Sequence, residues 1–87
     1  MLTIIARPTV DPIRLDELKQ AMLDLVDATL KEDGCIRYEL HRDNNEPNRF
    51  TFLETWENRD LWRKHIQGIA IRAFNERVSG GITGFEL

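Results

Sequence analysis

The stretch Arg49 to His65, RFTFLETWENRDLWRKH, changes periodicity in mid-course, and that change restricts the fold more than any other feature of the chain. Phe50, Phe52, Glu54 and Trp56 alternate, so an extended strand puts all four on one face. Asn58 then offers a helix cap, and Leu61, Trp62, His65 and Ile66 recur at helical spacing. A strand running into a helix thus supplies two tryptophans, a glutamate and one of the chain's two histidines to what could be a single pocket. The same residues also suit a filled core.

The flanking segments extend this pattern in both directions. Leu2 to Arg7 reads as a first strand, with Leu2, Ile4 and Ala6 on one face, Thr3, Ile5 and Arg7 on the other, and Pro8 closing it. Asp11 before Pro12 marks a helix start. Leu15, Leu18, Met22, Leu25, Val26 and Thr29 form the helix stripe, and Gly34 is expected to end it. Cys35 to Arg42 is a second strand with Ile36, Tyr38 and Leu40 facing one way, followed by turn formers from Asp43 to Asn48. After the strand Phe50 to Trp56, a helix starts at Asn58, is bent or split at Gly68, and continues to Val78. Gly80 and Gly81 break it before a last strand, Ile82 to Leu87.

The order is β-α-β-β-α-β, an α+β ferredoxin-like pattern with a four-stranded antiparallel sheet and helices on one face. At 87 residues the chain holds one domain, 1–87, with a modest core. Strands one and three carry apolar residues on both faces, so the uncovered face calls for a partner. Two such sheets packed face to face make a homodimer, a dimeric α+β barrel.

Charge and cysteine usage narrow the class. A net charge of −3 with no Lys/Arg run argues against nucleic acid. No apolar run approaches a membrane span, and the N-terminus MLTIIARP lacks a secretory pattern, so a cytoplasmic location is expected. Cys35, the sole cysteine, allows no internal disulfide and no Cys-rich metal site. The two histidines lack a ligand spacing, so no metal is expected. Neither a glycine-rich phosphate loop nor a Ser or Cys nucleophile motif occurs.

Several residues, taken in order, resemble the antibiotic biosynthesis monooxygenase domain family, which includes small quinol monooxygenases. They are Gly34-Cys35, Tyr38-Glu39-Leu40, the acidic turn Asp43 to Pro47, Phe50, Glu54, Trp56 and His65. The resemblance implies a ferredoxin-like unit pairing as a dimeric barrel. It also implies oxidation of a quinol-like or polyphenolic aromatic by molecular oxygen, with no metal, flavin or other cofactor. It places Trp56 and His65 near a pocket between sheet and helices. Haem-degrading relatives carry an Asn on the first strand, where this chain has Thr3, Ile4 and Ile5. That departure speaks against a haem-degrading activity.

Oxygenation without a cofactor requires that a phenol or activated C–H lose a proton, so that the electron-rich anion can reduce oxygen. The protein must supply a base of suitable pKa and an apolar pocket. His65 is the first candidate for the base, since imidazole titrates near neutrality. Trp56 joins it in the catalytic set, and Glu54 is placed to orient His65 or bind a substrate hydroxyl. Phe50, Phe52, Trp62, Tyr38 and Phe74 are expected to line the pocket. Each has a plainer structural reading. His65 suits a hydrogen-bonded core, Trp56 and Trp62 suit a core, Glu54 suits pairing with an arginine across the sheet, His41 suits an exposed position and Cys35 a small apolar filler. A dimeric domain that binds a small molecule without turning it over is the alternative function.

Overall fold

A computed structural model describes residues 1–87. The chain runs β1 (Leu2–Val10), α1 (Leu15–Thr29), β2 (Cys35–Arg42), β3 (Phe50–Trp56), α2 (Arg59–Ile66), α3 (Ile69–Arg77) and β4 (Ile82–Glu86), with a 3-10 turn at Pro12–Arg14 leading into α1. The strands form one antiparallel sheet in the order β2-β3-β1-β4. This is the ferredoxin-like arrangement, with its second helix divided in two.

β3 fixes the two faces of the sheet. Phe50, Phe52, Glu54 and Trp56 are buried, while Thr51, Leu53 and Thr55 between them are half-buried. Trp56 lies opposite Leu2 and Cys35, Glu54 opposite Ile4 and Tyr38, and Phe52 opposite Ala6 and Leu40. Residues opposite one another share a face, so these rows line the inner side. Onto it α1 lays Leu18, Ala21, Met22 and Leu25, all buried. Each large apolar side chain so buried contributes about 1.5–3 kcal/mol.

Caps set where the helices begin. The Asp11 carboxylate accepts from the Ile13 N–H at 3.0 Å ahead of Pro12, and Asn58 accepts from the Leu61 N–H at 2.9 Å. Gly68 divides the second helix: its N–H donates to the His65 carbonyl at 3.0 Å, its extended backbone caps α3, and a Cβ there would lie 3.2 Å from the same carbonyl oxygen.

Four sequence expectations need correction. Pro8 does not close β1, which runs on to Val10. It lies beyond the last β1–β3 pair, Ala6–Phe52, and just before a register shift at Thr9/Val10, where a missing donor disrupts the sheet least. Gly34 does not end α1, which stops at Thr29. Gly34 instead closes the following turn with φ +81°. Ile36 does not share the face of Tyr38: the register slips between Cys35 and Arg37, so Ile36 turns outward at 52% exposure and Cys35 takes the inner position. The last strand ends at Glu86.

The outer face carries Thr3, Ile5 and Arg7 of β1, Thr51, Leu53 and Thr55 of β3, and Arg37, Glu39 and His41 of β2. Ile5 and Leu53 sit opposite each other at its centre, with Ile5 44% exposed. Along β2, Glu39 bonds both Arg37 at 2.6 Å and His41 at 2.9 Å. Arg37 and then His41 hold the Glu39 carboxyl down at about 2. No helix is long and apolar enough to cross a membrane.

Candidate functional site

The inner face is not completely filled. A cavity of about 280 Å³ lies between the sheet and the helices, walled by Tyr38, Phe52 and Glu54 from the strands and by Trp62, His65, Ile66, Ile71 and Phe74 from α2 and α3. Leu25, Phe85 and Leu87 also contribute. A neighbouring cavity of about 310 Å³ shares Phe52, Phe74, Asn75 and Phe85 with it, so the apolar space continues under α3 toward Pro8 and Ile82.

Glu54 is the carboxylate of the inner cavity. Its strand position, set by the two-residue alternation, points it inward among aromatics, where it is 5% exposed. The Trp56 indole N–H donates to its Oε1 at 2.9 Å, and its other oxygen has no hydrogen-bond partner. Burial pushes the Glu54 carboxyl from its ordinary 4.5 up to about 7, against the lowering effect of the Trp56 hydrogen bond. A carboxyl titrating near neutrality can take a proton and return it. No arginine pairs with Glu54 across the sheet, contrary to that structural expectation.

His65, 3% exposed, packs between two aromatics. Its ring lies 4.8 Å from Trp56 at a 31° tilt and 5.5 Å from Tyr38 nearly edge-on. Its Nδ1 is hydrogen-bonded to Glu32 Oε1 at 2.8 Å, so the orienting carboxylate is Glu32 and not Glu54. Glu32 lies in the turn between α1 and β2, far from His65 in sequence. Its place ahead of the Asp33-Gly34 turn was the only available signal, and it did not specify which side chain the carboxylate would meet.

The remaining expected residues divide between wall and support. Tyr38, Phe52, Trp62 and Phe74 join Glu54 and His65 around the cavity. Tyr38 packs 5.4 Å from Phe52, and burial, then the neighbouring Glu54 charge, pushes its hydroxyl well above the ordinary range, so it stays neutral. Trp56, fully buried, lines neither the inner cavity nor its neighbour. It lies behind Glu54 and His65, bonding one and stacking on the other. Phe50 is 2% exposed and away from the cavity, with the Arg42 guanidinium 5.7 Å above its ring. His41 is exposed and bound to Glu39. Burial, then the Glu32 and Glu54 charges, raises the Cys35 thiol, which makes a poor nucleophile.

A second, outer groove of about 550 Å³ runs between the end of α1 and the α2–α3 break, with Glu32, Asp33, Leu61, Lys64 and Ile69 on its walls. His65 lines this groove as well as the inner cavity. No three His, Cys, Asp or Glu side chains gather closely enough to hold a metal ion.

Residues 1–77 match the family model described as antibiotic biosynthesis monooxygenase. Among curated proteins, the chain is 32% identical over 53 residues to N-terminal EF-hand calcium-binding protein 1 of Mus musculus and of Homo sapiens. That stretch is 61% of this chain, and it spans only 15% of the length of those relatives. Among solved structures, a protein from Shewanella oneidensis is 28% identical with a TM-score of 0.88, the match covering 97% of this chain and 82% of that one. A proposed antibiotic biosynthesis monooxygenase from Nitrosomonas europaea superposes with a TM-score of 0.92 over 99% of this chain and 92% of its own, at 17% identity. A Pseudomonas aeruginosa protein reaches 0.90 at 24% identity, over 97% of this chain and 85% of that one. These last two likenesses concern the fold alone.

Proposed function

From the premise that this chain belongs to the antibiotic biosynthesis monooxygenase family, we propose that it is a cofactor-independent monooxygenase oxidising a quinol-like or polyphenolic aromatic with molecular oxygen. One observation carries this reading: a buried carboxyl titrating at about 7 stands, with His65 and Asn75 as the only other polar side chains, on the wall of a largely apolar cavity. A cavity of about 280 Å³ is close to the lower end of the roughly 300–1,000 Å³ of small-molecule sites, a size for a compact aromatic.

The chemistry proceeds as follows. The Glu54 carboxylate accepts the phenolic proton, and the quinol anion passes one electron to oxygen. The resulting radical pair combines, forming a bond between a ring carbon and oxygen. Removal of the hydrogen on that carbon then breaks the O–O bond, leaving a carbonyl on the ring and releasing the other oxygen as water. One quinol and one O₂ give one hydroxyquinone and one H₂O. His65 serves as the second acid-base group, Trp62, Phe52 and Phe74 hold the ring, and the neutral Tyr38 hydroxyl is a hydrogen-bond donor to substrate oxygen. Trp56 keeps Glu54 turned toward the cavity. The Ile5–Leu53 centre of the outer face supports a homodimer in which two sheets meet.

Metal-free, flavin-free protein incubated with a panel of hydroquinones should consume one O₂ per product. With ¹⁸O₂, one labelled atom should enter the product and one should appear in water. Ligand binding without oxygen uptake across the panel would leave the non-enzymatic binding domain as the better reading.

A further inference from the structure

The groups around His65 define a geometry that the pairing of Glu54 and Trp56 does not explain. The His65 ring is held on one face by Trp56 and at its edge by Tyr38, so its plane is fixed. Only one of its nitrogens, Nδ1, is hydrogen-bonded, and the partner is a carboxylate. That carboxylate belongs to the outer groove and contributes nothing to the inner cavity wall, whereas His65 contributes to both. A second contact keeps the two side chains in place. Gly34, two residues after Glu32, approaches α2 so closely that a Cβ there would lie 2.3 Å from Leu61 Cδ1. Leu61 and His65 are four residues apart on α2 and so lie one turn from each other on one face. The α1–β2 turn therefore docks on α2 at two points, Gly34 on Leu61 and Glu32 on His65. The Glu57 N–H completes the dock by donating to the Gly34 carbonyl at 2.9 Å.

We propose that Glu32 is a positioning residue: its carboxylate accepts the Nδ1–H of His65, selects that tautomer, and leaves Nε2 as the proton-accepting nitrogen for the substrate cavity. A neutral imidazole carries its proton on one nitrogen and accepts at the other, and the hydrogen bond made by the first decides which is which. Glu32 can accept but not donate when ionised, so the contact fixes the hydrogen on Nδ1. When Nε2 takes a proton, the nearby carboxylate stabilises the imidazolium. Glu32 is only partly exposed, with 27% of its side chain open, against 2% for His65, so it links the buried ring to the outer groove and to water.

This inference rests on the proposed oxygenation for its catalytic part, but its tautomer part can be tested without turnover. Nitrogen-15 shifts of the two His65 ring nitrogens should report the Nδ1–H tautomer in the natural protein. Glu32→Ala should move the ring toward Nε2–H, the form free histidine prefers. Glu32→Gln, which keeps an uncharged acceptor, should retain Nδ1–H. Where the quinol panel yields activity, Glu32→Ala should lower kcat about ten-fold or more with little change in KM, and Glu32→Gln should fall between. An Nε2–H signal in the natural protein, or an unchanged tautomer in Glu32→Ala, would overturn the assignment whether or not the protein is an oxygenase. A shifted tautomer with unchanged kcat would overturn the positioning role alone, and a shifted tautomer in a protein with no turnover at all would count against the oxygenase reading and uphold the contact.

Discussion

Replacing Glu54 by glutamine should make the protein more stable at alkaline pH and should abolish one pH dependence of its stability. In the folded state the carboxyl titrates at about 7, in the unfolded chain near its ordinary 4.5. Between those values the folded state binds more protons than the unfolded one, so stability falls as pH rises. The contribution is complete below about 4.5 and lost above about 7. At about 1.36 kcal/mol per pH unit of separation, the loss is ~3 kcal/mol. The amide side chain of Glu54→Gln has nearly the same shape, keeps an oxygen for the Trp56 N–H and has no charge to bury. The difference in unfolding free energy between the two proteins isolates the term, since every other group titrates in both. Urea unfolding at one protein concentration across roughly pH 4 to 9 should show that difference growing by ~3 kcal/mol from acid to alkaline conditions, or roughly 12–24 °C in thermal midpoint. A difference that stays flat with pH would refute the claim that Glu54 is held in an environment hostile to its charge. On the proposed mechanism the same variant should lose oxygenation, because an amide cannot take the substrate proton.

Trp56→Phe removes the hydrogen bond that lowers the Glu54 carboxyl, so the midpoint of the pH-dependent term should move upward, with a stability loss of about 1–3 kcal/mol, read from the same unfolding series. Gly34→Ala meets Leu61 at 2.3 Å and needs φ +81°, while Gly80→Ala at φ +77° has no atom within 4 Å of the new Cβ. The first should therefore cost more than about 3 kcal/mol and the second about 1–2, a contrast visible in denaturation midpoints. Asn58→Ala deletes the cap on α2 and should cost about 1 kcal/mol, with faster amide hydrogen exchange confined to the first turn of that helix.

Much of the scaffold was legible because its signals are local. Alternation from Phe50 to Trp56, the Asn58 cap and the helix break at Gly68 each act within a few residues, and each is realised in the structure. The cavity side of β3 was legible for the same reason, since Phe52 and Glu54 had to share a face. What escaped depended on distant partners or on a slip of register. Ile36 turned outward because a bulge shifts Cys35 against Trp56, and no feature of the local pattern specifies a bulge. Trp56 and Phe50 share the inner face with Phe52 but are covered by other elements, so facing inward did not distinguish support from wall. Glu32 meets His65 across the turn, an encounter determined by how closely Gly34 lets that turn approach α2.

The break at Gly68 separates two tasks that a continuous helix would have tied together. His65, the proposed acid-base partner, belongs to α2, which is anchored by its Asn58 cap and by the docked turn. Ile71 and Phe74, which wall the inner cavity together with Trp62 and Ile66 of α2, belong to α3 and enter after the chain has changed direction. Because Ile71 and Phe74 lie beyond the break, a volume change at either is expected to move α3 before it rotates the imidazole. A chain built this way can change the shape of its cavity while leaving the His65 ring in place, which makes α3 the first place to look for differences in selectivity between relatives and the first to vary in redesign.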